Sequence, residues 1–248
     1  MKKFGLIGYP LSHSFSAGFF AKKFSEEHII DAIYQNYPLE SIDKLTDLIT
    51  SNPNLMGLNV TIPFKEKVIP FLTELDETSQ KVGAVNTIKL QRKQGIISLK
   101  GYNTDVHGFE QSIKPHLEST HIRALILGTG GASKAVIYVL QKLNIKTDIV
   151  SRNSIPGIYK TYNELTIDDI IDHKVIINTT PLGMYPKLDQ LPAIPYNNIN
   201  SQHLLFDLIY NPLETAFLSE GKKRGAKTIN GLEMLHLQAL KAWEIWNS

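Results

Sequence analysis

Ala124-Leu125-Ile126-Leu127-Gly128-Thr129-Gly130-Gly131-Ala132-Ser133-Lys134-Ala135 lies near the middle of a chain of 248 residues. A short apolar run closed by glycines reads as a buried strand. Val136, Val139, Leu140 and Leu143 carry on from Ala135 at helical spacing, so strand passes to helix across the glycines. Glycine at such a junction permits a tight turn and lets backbone N–H groups approach a pyrophosphate, which also meets the positive end of the helix dipole. Ser133 stands where the fingerprint has its third Gly or Ala. Alone, such a loop is as often an ordinary strand-to-helix turn. The rest of the chain decides.

Downstream, Asp148 to Val150 reads as a strand about 20 residues past the glycines, where the ribose contact of a dinucleotide falls. Its end is Ser151-Arg152-Asn153 rather than an acidic residue, and Arg152 suits a 2′-phosphate. A weak helix near 167–171, a strand Val175 to Asn178, the loop Thr179 to Met184 and a strand Leu204 to Asp207 follow. A helix Leu213 to Lys222 and a short strand 226–228 come next. From Gly231 a last helix places Leu232, Leu235, Leu240 and Trp243 on one stripe, which needs a packing partner, with the first domain as the candidate.

Upstream, Phe4 to Ile7, Ala32 to Tyr37 and Met56 to Val60 read as strands. Helices are expected after the hydroxyl-rich loop Ser12 to Ser16, over Leu39 to Ile49, and over Glu66 to Leu72. A polar helical turn at 76–81 precedes a hairpin, Ala84 to Leu90 with Ile96 to Leu99, and a helix runs from Val106 to Ile113. Alternating strands and helices predict an α/β protein of two domains. The N-terminal α/β domain spans 1–105 and is completed by the terminal helix at 230–248. A Rossmann-like dinucleotide-binding domain with a parallel sheet spans 106–229.

Composition narrows the function. With no cysteine, disulfides, thiolate zinc sites and cysteine nucleophiles are excluded, which fits a reducing cytoplasm. Eight histidines are scattered without a metal-ligand spacing, so no metal site is expected. A net charge of +2 without a basic cluster does not favour nucleic acid. No apolar run approaches the roughly 18 residues of a membrane span, and none at the N-terminus suits a secretory signal.

Several segments together resemble the shikimate dehydrogenase family, from Phe4 to the last helix. They are Ser14-Phe15-Ser16, Asn59-Val60-Thr61-Ile62-Pro63-Phe64-Lys65, Gly83 to Thr87 and Gly101 to Asp105. The second half adds Gly128 to Ser133, Asn178 to Met184, Asp207 to Pro212, and Gly231 to Met234 with Gln238. The resemblance implies a substrate domain facing an NADP-binding Rossmann domain, with catalysis in the cleft between them. It also implies reversible reduction of 3-dehydroshikimate to shikimate on the way to the aromatic amino acids. The small-molecule substrate and NADP are the expected ligands, and the protein a monomer or homodimer.

Ketone reduction requires a hydride, supplied by a nicotinamide, and a proton for the oxygen. Lys65, on a loop at a strand end, is the candidate donor, since a lysine is charged near neutral pH. Taken alone it reads as a solvated surface lysine. Asp105 is the matching carboxylate, which favours the charged amine, although Thr104 or Asp105 also suits a helix cap. The reverse oxidation needs neutral lysine and is expected to quicken toward alkaline pH.

Ser14 and Ser16 at a helix start suit the substrate carboxylate, or simple capping. Asn59, Thr61 and Asn86 at strand ends suit ring hydroxyls, or turns. The resemblance makes Gln238 and Tyr210 substrate ligands, and brings Glu77, Leu208 and Gly231 toward the nicotinamide, beside Gly128, Thr129, Gly130, Gly131, Ala132, Ser151 and Arg152 for the rest of the cofactor. Departures are Ala17 after the serines, Glu233 before Met234, and Ser154-Ile155-Pro156-Gly157, which interrupts the next helix and thins the phosphate clamp. A quinate/shikimate dehydrogenase with relaxed cofactor use, and a non-catalytic ligand sensor on the same scaffold, are the rival readings.

Overall fold

The computed structural model describes residues 1–11, 15–154 and 159–248. By its contacts the chain divides into two units, Met1–Thr104 with Ala239–Ser248, and Asp105–Gln238.

In the first unit, β1 (Lys2–Gly8), α1 (Phe15–Glu26), β2 (Ala32–Pro38), α2 (Leu45–Ser51) and β3 (Leu55–Val60) form the α/β part. Then come β4 (Glu74–Leu75), α3 (Glu77–Val82), β5 (Thr87–Lys93) and β6 (Ile96–Tyr102). The sheet order is β2-β1-β3-β5-β6-β4. β1 runs parallel to both β2 and β3, whereas β5 is antiparallel to β3 and β6. The hairpin turns at Gln94 and Gly95, both with positive φ, as a tight two-residue turn between twisted strands requires.

Two expected helices are corrected. Over Leu39 to Ile49 the chain first makes a 3-10 turn, Ile42–Lys44, and α2 starts only at Leu45. Ser41, itself extended, caps that turn by accepting the Asp43 N–H, so the helical segment starts only at Ile42. The helix expected over Glu66 to Leu72 is a run of turns ending in the 3-10 turn Ile69–Phe71. Pro70 has no N–H for the Glu66 carbonyl, which takes the Ile69 N–H instead, so the one α-type bond, from the Val68 N–H to the Phe64 carbonyl, is not continued.

In the second unit, α4 (Thr104–Ile113, begun on the last residue of the first unit) leads to β7 (Arg123–Leu127), α5 (Gly131–Lys142), β8 (Lys146–Ser151) and β9 (Tyr159–Thr161). α6 (Ile167–Asp172), β10 (Val175–Asn178), β11 (Leu204–Asp207), α7 (Ala216–Lys223), β12 (Lys227–Ile229) and α8 (Leu232–Asn247) follow. All six strands are parallel, in the order β12-β11-β10-β7-β8-β9. The order reverses between β7 and β10, and that switch point is where α/β sheets bind ligands. β9 is too short to read from the sequence. α7 begins at Ala216 rather than Leu213 because Thr215 accepts the Leu218 N–H as its cap.

Buried Leu125, Leu127, Val150, Ile176 and Leu205 form the core of this unit with Phe217. In the first unit one face buries Leu45, Leu55, Leu58, Phe64 and Ile88. The other face buries Phe4, Phe20 and Phe24 against Ala239, Ala242 and Trp246 from the end of α8. Trp246 lies over Gly57, where a Cβ would come within 2.2 Å of the indole nitrogen, and that nitrogen donates to the Ile88 carbonyl at 3.0 Å. Leu240 is not on the buried stripe of α8; it is 43% exposed. Five residues at about 100° each carry it some 140° round from Leu235, while Ala239, Ala242 and Trp246 keep the helical spacing. Among the described residues no helix is long and apolar enough to cross a membrane.

Candidate functional site

In the first unit the polar residues singled out by sequence gather at the ends of β3 and β5. Register sets Asn59 opposite Thr87, and the Asn59 amide donates to Thr87 Oγ1 at 3.1 Å. Asn59 Oδ1 accepts from the Tyr34 hydroxyl at 2.8 Å. The Val60 N–H donates to the Asn86 carbonyl at 2.8 Å, and the Asn86 N–H to the Tyr102 carbonyl at 3.0 Å. The Asn86 side chain then takes the Thr104 N–H at 2.7 Å and donates to Thr104 Oγ1 at 3.0 Å. Asn59, Asn86, Thr87 and Thr104 are all buried, so these bonds replace water and are not surface decoration.

Lys65 follows the loop Thr61–Phe64, closed by a Phe64 N–H to Thr61 carbonyl bond of 2.9 Å. The Thr61 N–H itself donates to the Ile7 carbonyl, and Phe64 is buried. The Lys65 carbonyl accepts from the Val85 N–H at 2.7 Å. Two neighbouring residues, Val85 and Asn86, therefore hold the backbone of Lys65 and that of Thr104, the residue before Asp105. The Lys65 side chain is half-buried and Asp105 is buried. Ser16, in the first turn of α1, hydrogen-bonds the Tyr34 phenol, whose pKa burial pushes up. Ser14 lies outside the described residues, as do Ile155, Pro156 and Gly157. Glu77 stands outside this network: it is exposed at the start of α3 and pairs with Lys81 at 2.6 Å, which lowers its pKa.

In the second unit the glycine turn leaves β7 at the switch point. Gly128 has φ +111, and a Cβ there would sit 2.7 Å from Thr179 Oγ1, so only glycine fits. Gly130 caps α5 with open space around it: a Cβ there would meet nothing within 4 Å. Having no side chain, Gly130 offers no acceptor to the first-turn amides of Gly131 and Ala132, which suits a phosphate at that helix end. Thr129 is exposed beside it, and Ser133, buried, donates to the Gly130 carbonyl at 2.6 Å and so fills the third small position. At the end of β8, Ser151 Oγ accepts the Asn153 N–H and Arg152 is exposed, its charge reaching Tyr162. This donor set fits a dinucleotide: amides for the pyrophosphate and a guanidinium for a 2′-phosphate.

A buried cluster beneath the loops after β10 and β11 is not legible in the sequence. Asp207 accepts from Asn178 at 3.1 Å, from the Ile209 N–H at 3.0 Å and from Thr215 at 2.6 Å. Asn178 Oδ1 holds the Thr180 N–H and hydroxyl. Burial pushes the Asp207 carboxyl up to about 6, with the three donors opposing it. Leu208 is tied by its N–H to the Asn178 carbonyl at 3.0 Å. Gly231 abuts it so closely that a Cβ would lie 2.1 Å from the Leu208 carbonyl. Tyr210 is half-buried, its phenol pushed up by burial. Gly108 lets α8 approach α4, since a Cβ there would meet the Met234 carbonyl at 2.5 Å and Gln238 Cβ at 3.1 Å. Gln238 is thereby set against the stretch of α4 that begins with Asp105.

An all-parallel sheet of this order, with a glycine-capped helix at its switch point, defines an α/β protein carrying a Rossmann-type dinucleotide-binding unit. Residues 6–88 match the shikimate dehydrogenase substrate binding domain. A shikimate dehydrogenase (NADP(+)) of Methanosphaera stadtmanae is 41% identical, the match covering 98% of this chain and 90% of that protein. The chain belongs to the shikimate dehydrogenase family. Its fold agrees with solved structures. Shikimate dehydrogenase 1 of Peptoclostridium difficile has a TM-score of 0.84 at 37% identity, over 100% of this chain and 92% of that one. The Thermus thermophilus enzyme in complex with NADP(H) and shikimate has a TM-score of 0.84 at 27% identity, over 99% and 93%.

Proposed function

We propose that this chain reversibly reduces 3-dehydroshikimate to shikimate with NADPH, in the pathway to chorismate and the aromatic amino acids, with Lys65 and Asp105 as its acid–base pair. The observation that carries the residue assignment is the double anchoring at Val85 and Asn86, which holds Lys65 and the residue before Asp105 to adjacent points of one strand end.

When bound, NADPH supplies the hydride to the substrate carbonyl carbon. Lys65 Nζ gives its proton to the substrate oxygen in reduction and takes it back in oxidation. Asp105 favours the charged amine and orients it. Ser14 and Ser16 receive the substrate carboxylate, Asn59, Thr61 and Asn86 bind the ring hydroxyls, and Gln238 and Tyr210 are further substrate ligands. Gly128 to Ala132 hold the pyrophosphate, Arg152 beside Ser151 pairs with the 2′-phosphate, and Leu208, Gly231 and Glu77 serve the nicotinamide side. The enzyme works in the cytoplasm, a reading supported by its lack of cysteine, as a monomer or a homodimer that size-exclusion chromatography with light scattering resolves.

The test is the NADPH absorbance band followed with shikimate or quinate, each with NADP or NAD. Turnover of shikimate with NADP, far above the other three combinations, is expected. Equal use of quinate would move the chain to the relaxed quinate/shikimate type, and no turnover with any pair would leave only a ligand sensor.

A further inference from the structure

Tyr34 joins two groups that the proposed reaction assigns to different parts of the substrate. It stands on β2 with its ring stacked on buried Phe20 at 4.5 Å between centroids. Its hydroxyl donates to Asn59 Oδ1 at 2.8 Å. A phenol has one hydrogen to give, so the bond it shares with Ser16 has Ser16 as donor. Beyond Asn59 the chain continues in one sense. The Asn59 amide donates to Thr87 Oγ1, and the Thr87 hydroxyl reaches Asn86 Oδ1 at 3.2 Å. The amide oxygens of Asn59 and Asn86 only accept and the Asn59 nitrogen only donates, so the bonds from Tyr34 to Asn86 all run one way.

We propose that Tyr34 is a positioning residue for the substrate: its hydroxyl holds the Ser16 side chain and the Asn59 amide in one mutual orientation, so that the carboxylate end and the hydroxylated ring are received together. Burial keeps the phenol neutral, hence a donor, throughout the working pH range. Because its ring is fixed by Phe20, the hydroxyl does not need ordering when substrate arrives, and that preorganisation is its contribution. The proposal rests on the reading of Ser16 and Asn59 as substrate contacts.

The experiment is steady-state kinetics of Tyr34→Phe, Ser16→Ala and the double variant, with thermal melting of each. Phenylalanine keeps the ring and its stacking. Loss of the hydroxyl that orients Ser16 and Asn59 is expected to raise the shikimate KM about fivefold, leaving the NADP KM within about twofold. Ser16→Ala is expected to raise the shikimate KM by at least as much, and the double variant to raise it by less than the product of the two single effects, since both remove the Tyr34–Ser16 contact while only Tyr34→Phe also frees Asn59. A raised KM in Ser16→Ala with an unchanged one in Tyr34→Phe overturns the proposal and leaves the site reading standing. Multiplying effects in the double variant, or equal rises in both KM values for Tyr34→Phe, overturn it as well. An unchanged shikimate KM in Ser16→Ala removes the underlying assignment of Ser16 and the proposal with it. A Tyr34→Phe protein that does not melt cooperatively makes the residue structural and overturns the proposal too.

Discussion

The Thr104 N–H donates to the Asn86 side-chain oxygen at 2.7 Å. The bond is fully buried and fixes the start of the helix whose next residue is Asp105. Asn86→Ala leaves the Thr104 N–H without its acceptor and is expected to cost about 1–3 kcal/mol of stability. Turnover should fall as well, because the carboxylate is no longer held in place. Urea unfolding beside a kinetic assay measures both, and a variant as stable and as active as the parent would contradict the anchoring role.

Lys65→Met removes the proton donor while keeping the aliphatic stem. General acid–base groups contribute roughly 10²–10⁴-fold, so kcat should drop by that order with the melting temperature little changed. Turnover within a few-fold of the parent would sink the assignment of Lys65.

Gly128 and Gly130 should separate folding from cofactor binding. Alanine at Gly128 meets both a positive φ and Thr179 Oγ1 at 2.7 Å, and is expected to destabilise by about 1–3 kcal/mol. At Gly130 the methyl meets only open space, so the protein should keep its stability. There the methyl stands where the pyrophosphate must approach the amides, and the NADP KM should rise about tenfold or more. Melting curves with and without NADP distinguish the two. A Gly130→Ala protein with normal NADP affinity counts against a phosphate site at this helix.

Asp207 gives the fold an inverted pH response. Its carboxyl rises from 3.8 to about 6 because burial disfavours the charge more than its three donors favour it. The native state then holds the proton more tightly than the unfolded chain does. The stability from this group is complete below pH 3.8 and is lost as pH climbs through about 6, up to about 3 kcal/mol in all. Despite burial, Asp148 is held low by His173 and Arg123, and Asp169 by Lys160 and Thr166. Those two carboxylates slope the other way, but they are common to parent and Asp207→Asn and cancel in the difference. Parent stability minus that of Asp207→Asn should therefore fall between about pH 4 and 6 and level off above 7. A difference independent of pH means that the carboxyl titrates normally.

What could be read from residues alone was local or repetitive. The apolar run into Gly128, the alternation of strands with helices and the clustered polar segments each depend on neighbours a few positions apart, and so specify the α/β class, the glycine turn and the chain's chemistry. Even there, single residues shift the bounds: Pro70 suppresses a turn of helix, and Leu240 falls off a stripe that counting apolar residues placed it on. Partnership is another matter. Tyr34 meets Asn59 across 25 positions, Asn86 meets Thr104 across 18, and Asn178 meets Asp207 across 29. No spacing rule links such pairs, because strand register and sheet order bring them together only once the hydrophobic core has formed. Which polar residues the chain carries was written in its sequence. Which of them are buried, paired and aimed was decided by packing.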